Sequence, residues 1–327
     1  MSTPARIAHP ISRRSALAAF GLAALGGQAL LAGCARAGSN TGSSASGALQ
    51  VVASMYVMED FTKKIGGDLV DVTTLVPSGT EPHDWEPSAR DIEGLQSAAL
   101  FVYNGAGMEH WADDVVSGLD ASKVVEASSG ITLLEGDHDH DSEDGDDGHD
   151  HDEVEYDPHV WLSPKNAKAE LANIRDGLKR VDPDHASDYD TAFEEQDRAF
   201  DELDEEFRSR LSDLPNKTIV VSHAAYGYLC EAYGLTQRAI TGVDAEGEPD
   251  AKTMASIIDF VKENNVKTIF TEELVSPKVA QSIADATGAE CRVLSPVEGL
   301  TEEQEKEGAD YLSLMRENLD TLVTALS

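Results

Sequence analysis

Basic side chains are scarce: 25 lysines and arginines face 61 aspartates and glutamates in 327 residues, a formal net charge of -36. Binding to nucleic-acid phosphates needs clustered base, so nucleic acid is excluded as a partner. Part of the acid is local, since residues 135–155 hold twelve acidic side chains and no Lys or Arg. Cysteine is rarer still, with only Cys34, Cys230 and Cys291. In an exported protein the last two could form a bridge, or they could remain buried thiols. No Walker A sequence occurs, so the chain is not itself an ATP-driven motor. Neither His-Glu-x-x-His nor Gly-x-Ser-x-Gly occurs, which removes two common hydrolase signatures. The apolar stretch Ala16–Leu31 is broken by Gly21, Gly26 and Gly27, too short and interrupted for a signal anchor.

What that stretch does fit is export. Arg13-Arg14, the apolar run and Leu31-Ala32-Gly33-Cys34 form the n-region, h-region and small-residue cleavage site of a signal peptide over residues 1–34. The end resembles a lipobox, which implies cleavage before Cys34 and a diacylglyceryl group on its sulfur. The mature chain is then expected outside the cell, anchored by lipid to the outer face of the cytoplasmic membrane. Ser12-Arg13-Arg14-Ser15-Ala16-Leu17 also resembles a twin-arginine signal that lacks its usual aromatic, so Tat and Sec export both stay open. Residues 35–48, rich in Ser, Gly and Ala, read as a flexible tether.

Three histidines then stand far apart in stiff, aromatic-bearing peptides: Glu81-Pro82-His83-Asp84-Trp85, Asp157-Pro158-His159-Val160-Trp161 and Ser222-His223-Ala224-Ala225-Tyr226. Imidazole ligates borderline-soft metals such as zinc, and ligands this widely separated converge only through a folded scaffold. Four more histidines, His138, His140, His149 and His151, lie in the acidic run. That run has almost no apolar residues and cannot fold alone, but it can catch cations loosely.

Apolar runs at 50–54, 70–77, 99–104, 217–222, 236–241, 267–271 and 292–294 read as strands, with helical patterns at 87–96, 108–119, 165–181, 251–264 and 277–287. Such alternation predicts an α/β fold of parallel sheets flanked by helices, whose ligands sit beyond the carboxyl ends of strands. His83, His223 and Glu298 each follow a predicted strand. Glu272 and Glu273 follow another and are rival acids. One segment breaks the alternation: Tyr189, Phe193, Gln196, Phe200, Leu203, Phe207 and Leu211 recur at three and four residues, the mark of one long amphipathic helix over 183–214. Pairs Glu194/Arg198, Asp204/Arg208 and Glu206/Arg210 support it. It divides the body into an N-terminal lobe, 49–182, carrying the insert 135–155, and a C-terminal lobe, 215–327.

With export signal, Glu-Pro-His peptide, acidic His-bearing insert, Asp-Pro-His-Val-Trp peptide, long central helix and Ser-His-Ala-Ala-Tyr peptide in this order, nearly the whole mature chain resembles the zinc-type metal-binding lipoproteins of ABC importers, the ZnuA-like solute-binding proteins. The resemblance implies two lobes joined by a rigid backbone helix, with metal in the cleft. It implies His83 and His159 as ligands from the first lobe, and His223 and the acid of Ser295-Pro296-Val297-Glu298-Gly299, Glu298, from the second. Three neutral imidazoles and one carboxylate suit tetrahedral Zn2+. Mn2+ prefers more oxygen, and manganese-type relatives carry a carboxylate where His223 stands. The implied partners are a membrane permease and, through it, a cytoplasmic ATPase, with the chain itself a monomer and not an enzyme. The alternatives are a zinc-dependent hydrolase, in which zinc keeps a position open for water, and a surface adhesion lipoprotein. Asp157 is either a turn cap or the acceptor that orients a ligand's second nitrogen.

Overall fold

The computed structural model describes residues 47–136, 156–243, 245 and 247–327. Cys34, residues 35–46 of the tether and the insert histidines His138, His140, His149 and His151 lie outside the described residues. Two four-stranded sheets form the body. The first contains β1 (Leu49–Ala53), β2 (Val70–Thr74), β3 (Leu100–Tyr103) and β4 (Val124–Glu126), in the order β2-β1-β3-β4. The second contains β5 (Thr218–Val221), β6 (Thr236–Ala239), β7 (Thr268–Thr271) and β8 (Glu290–Val293), in the order β6-β5-β7-β8. All pairs are parallel, with Val51 opposite both Val72 and Leu100 in the first sheet and Val220 opposite both Arg238 and Ile269 in the second. Each strand order reverses direction at its central pair, β1/β3 and β5/β7, which leaves a crevice at the carboxyl ends.

Helices cover both faces of each sheet: α1 (Tyr56–Gly66), α2 (Ala89–Ser97), α3 (Ala112–Val116), α4 (Pro164–Val181), α5 (Ala186–Leu211), α6 (Gly227–Tyr233), α7 (Ala251–Glu263), α8 (Lys278–Thr287), α9 (Glu302–Glu307) and α10 (Tyr311–Leu326). Alternate strand residues therefore bury on opposite sides. Val51, Ala53, Leu100, Val102, Ile219, Val221 and Phe270 meet in one core that runs through both lobes. Val52, Phe101 and Tyr103 pack outward in the first lobe, while Val220 and Ile269 pack outward against Ile257 and Ile283 in the second.

The long helix is α5, preceded by a separate turn at Pro183–His185. Tyr189, Phe200, Leu203, Phe207 and Leu211 are buried in the shared core, and Phe193 lies half-buried under the guanidinium of Arg175 at 4.3 Å. Its apolar stripe is thus satisfied within the chain. Asp204 and Arg208 pair as expected, at 2.8 Å. Glu206 instead reaches Arg316, and Arg210 reaches Asp320, because α10 lies alongside with opposite charge. Such exposed pairs fix register more than they stabilise.

Several elements differ from the periodicity reading. β4 has only three residues, too short to show a period, and α1 and α10 form outside the helical patterns named above although each has a buried apolar stripe opposite exposed charge, Lys63 on α1 and Asp320 on α10. The predicted helix 108–119 shrinks to α3, since residues before it form turns around Gly105, Ala106 and Gly107, all with positive φ. Cys230 and Cys291 are both free thiols. Cys230 on α6 belongs to the shared core and Cys291 on β8 to the outer cluster of the second sheet, so the sheet's two faces separate them.

Candidate metal centre

Four loops, each at the end of an element, converge between the lobes. His83 lies in the connection after β2, His159 caps a short turn at Val160–Leu162, His223 follows β5 by one residue, and Glu298 lies in the loop after β8. One ligand atom from each of His83, His159, His223 and Glu298 falls within 4.8 Å of the others. The Nε2 of His159 is 3.1 Å from that of His83 and 3.3 Å from that of His223. Glu298 Oε1 lies 3.0, 3.5 and 3.7 Å from the Nε2 atoms of His159, His223 and His83.

These separations carry chemistry. His159 Nδ1–H donates to Asp157 Oδ1 at 2.8 Å, and His223 Nδ1–H donates to Glu272 Oε1 at 2.8 Å. In the neutral rings both Nε2 atoms then present lone pairs, facing each other and a carboxylate. Glu298 Oε1 is buried and has no hydrogen bond of ordinary geometry. Two imidazole lone pairs and a carboxylate oxygen crowded this closely are a donor set that a cation at their centre would satisfy. Bonds of about 2.0–2.1 Å to tetrahedral zinc place ligand atoms about 3.3 Å apart, close to the observed spacings.

The surroundings explain the electrostatics of the metal-free site. Burial and neighbouring imidazolium charge hold His83 below the usual histidine range despite Glu298. Burial also pulls on His159 and His223, but both end raised, His223 strongly, because Asp157 and Glu272 stand behind them and Glu298 in front. Burial alone would push Glu298 up; three imidazole partners bring it well below the carboxylate range. His83 lacks a carboxylate behind its ring, and its side chain is 10% exposed whereas those of His159 and His223 are 0%. It is the member of the cluster facing the solvent.

Supporting groups hold each loop. Asp157 Oδ1 also accepts the backbone N–H of His159 at 2.9 Å, so it both caps the turn and orients the ring. Glu272 stands behind His223 rather than in the cluster, and Glu273 accepts from Gln304. Glu81 also stands outside the four: its Oε2 accepts the backbone N–H of His83 at 3.0 Å, and burial with the nearby Glu298 pushes its pKa up to about 8. Val297 adopts φ 59°, an outlier for a β-branched residue. Asn318 on α10 grips this loop, accepting from Ser295 N at 2.8 Å and donating to Ser295 O at 2.7 Å. Strain held by such bonds aims Glu298 inward. Periodicity does not show Asn318 as a support; its only trace is an amide on an otherwise apolar helix face. Trp161 is fully buried 5.4 Å from the His159 ring and donates to Pro296 O, and Tyr226 donates to Leu294 O. Trp85 is half-buried, edge-on to Trp111. Beside Glu298 a cavity of about 530 Å³ opens, lined in part by Glu59, Asp60, Glu305 and Asp310.

Fold and site together define a two-lobed binding protein whose cleft gathers a donor set fit for one small cation. The chain belongs to the family described as ZnuA, zinc-uptake complex component A, periplasmic, whose model matches residues 51–325. Among relatives, the high-affinity zinc uptake system protein ZnuA of Bacillus subtilis is 42% identical over 280 residues, covering 85% of this chain and 88% of that protein. The zinc-binding protein AdcA of Streptococcus pyogenes is 41% identical over 288 residues, covering 85% of this chain; the chain spans only 56% of AdcA's length. The Zn(II)-bound ZnuA-like domain of Streptococcus pneumoniae AdcA superposes with a TM-score of 0.73 at 35% identity, covering 86% of this chain and 99% of that one. The laminin-binding protein Lmb of Streptococcus agalactiae, described as bifunctional with adhesin and metal-transporting activity, superposes with a TM-score of 0.75 at 36% identity, covering 86% and 100%. The family's place is extracytoplasmic. No helix among the described residues is long and apolar enough to cross a membrane.

Proposed function

We propose that this chain captures Zn2+ outside the cytoplasmic membrane, with His83, His159, His223 and Glu298 as ligands, and delivers it to an ABC-type permease driven by a cytoplasmic ATPase. The observation that carries the reading is the convergence of three Nε2 atoms and one buried carboxylate oxygen at near-tetrahedral spacing. Four protein donors leave no position for water, which favours capture over hydrolysis, as does membership in an uptake-component family. Two ligands come from each lobe. Separation of the lobes at the permease then weakens coordination and releases the ion. We assign Cys34 as the lipidated residue that anchors the monomer, and the acidic His-bearing insert as an accessory collector. A second role as an adhesin rests on the likeness to Lmb; absence of binding to immobilised laminin would remove it. Native mass spectrometry of the mature chain with equal Zn2+ and Mn2+ tests the main reading. One tightly held zinc is the expected result, and manganese in that position, or no metal, overturns it.

A further inference from the structure

Outside the ligands, one group touches both the metal-site loop and the root of the acidic insert. Leu134 and Asp157 flank the insert, and its ends are drawn together by the antiparallel bridge Glu135–Tyr156 and by Asp157 N–H donating to Leu134 O at 2.9 Å. Tyr228, on α6 of the opposite lobe and 2% exposed, closes the same junction. Its hydroxyl accepts from Leu134 N at 3.0 Å and donates to Asp157 O at 2.8 Å. Asp157 is the residue whose carboxylate orients His159. Its own lobe holds the next peptide separately, through Asn104 Nδ2 donating to Pro158 O at 3.0 Å.

Gly227 shows how closely α6 presses on this loop. A Cβ there would lie 2.4 Å from Asp157 Oδ2 and 3.4 Å from Leu134 Cδ1. The backbone of Gly227 is not in the left-handed region, so the absent side chain reflects the approach of Asp157 rather than a turn. A phenol and a bare Cα from the C-terminal lobe thus seat the Asp157 peptide from the far side of the cleft.

We propose that Tyr228, with Gly227 beside it, is a positioning residue for the metal: it holds Asp157 against His159 from the opposite lobe, so that separating the lobes disorients His159 as well as withdrawing ligands. This rests on the zinc-capture reading above. The device makes release steeper than loss of ligands alone, because the first-lobe histidine weakens as the second-lobe ligands leave. It also ties the root of the insert to the site, since the same hydroxyl holds Leu134.

The test is Tyr228→Phe, which keeps the ring and removes the hydroxyl. Zinc affinity, measured by competition with a chromophoric chelator, is expected to fall about tenfold, as for loss of partners that orient ligating histidines. The visible bands of the Co2+-loaded protein should shift as well. Tyr233→Phe is the control, since that hydroxyl bonds Asp204 at the other end of α6; it should leave affinity and bands unchanged. In a cycle with Asp157→Asn, the double variant should bind no more weakly than Asp157→Asn alone. Gly227→Ala reports on the same contact if Tyr228→Phe folds poorly, and should weaken zinc likewise. Wild-type affinity and spectrum in Tyr228→Phe, or losses that add in the cycle, overturn the inference. A wild-type chain without tight zinc overturns the capture reading itself, whereas tight zinc in wild type beside an indifferent Tyr228→Phe overturns only this inference.

Discussion

His223 and Glu272 sit just past the ends of adjacent parallel strands, β5 and β7, and meet through an Nδ1–H···Oε1 hydrogen bond of 2.8 Å, buried from solvent. The bond fixes the tautomer and aims Nε2 at His159 and Glu298. Glu272→Ala should therefore weaken zinc by about ten- to hundredfold while every ligand remains. Chelator competition measures it, and an unchanged affinity would show that packing alone orients His223.

Removing a ligand should cost more than removing its support. His159→Ala is expected to abolish most of the tight affinity, since three donors cannot close the tetrahedron. Deleting residues 137–152 should leave the tight site intact and remove only weak additional binding. Isothermal titration of both variants checks this pair of outcomes. Loss of the tight site on deletion would refute the ligand set.

Protons compete with zinc for the same lone pairs. In the metal-free site His159 and His223 are raised above the ordinary histidine value, so competition begins at a higher pH than for a free imidazole. Affinity should fall steadily from pH 7.5 to pH 5, and a flat profile would contradict histidine ligation. Stability has the opposite slope without metal. A group raised on folding contributes fully below its unfolded pKa and loses that contribution as pH rises through its folded pKa. The increase in melting temperature caused by zinc should consequently be larger at pH 7.5 than at pH 5.5.

Glu170 on α4 is fully buried, and neither carboxyl oxygen has a hydrogen-bond partner. Burial, reinforced by nearby Glu109, drives its pKa well above the carboxylate range. Both effects favour the neutral acid in the fold. Unfolded chains ionise it above about pH 4.3, so wild-type stability declines as pH rises beyond that point. Glu170→Met should stabilise by about 1–3 kcal/mol near neutrality, the cost of an unsatisfied buried group. Its advantage in thermal melts should be wider at pH 8 than at pH 5. An equal advantage at both would mean that Glu170 stays ionised in the fold.

Much of the architecture was legible because hydrophobic period survives in short range. The seven expected strands all form, and the stripe from Tyr189 to Leu211 marks α5 within a few residues of its ends. β4, with three residues, is too short to leave such a trace, whereas α1 and α10 each carry one buried apolar stripe, over 56–66 and 311–326, with charge on the opposite side. Glu206 and Arg210 do not pair with each other as their i,i+4 spacing suggests. Spacing along one helix does not reveal the charges on its neighbour, here Arg316 and Asp320.

By itself the sequence determined the donor types, their stiff peptides and their order, because imidazole and carboxylate chemistry resides in the residue and local stiffness in prolines at 82, 158 and 296. Only the tertiary structure decided that His83, His159, His223 and Glu298 meet. It also decided that Glu272 stands behind His223 and that Tyr228 reaches across to Asp157. Those relations depend on two sheets packing through one shared core, and a distance of a few ångströms across 215 residues of chain is set by that packing, not by any local preference.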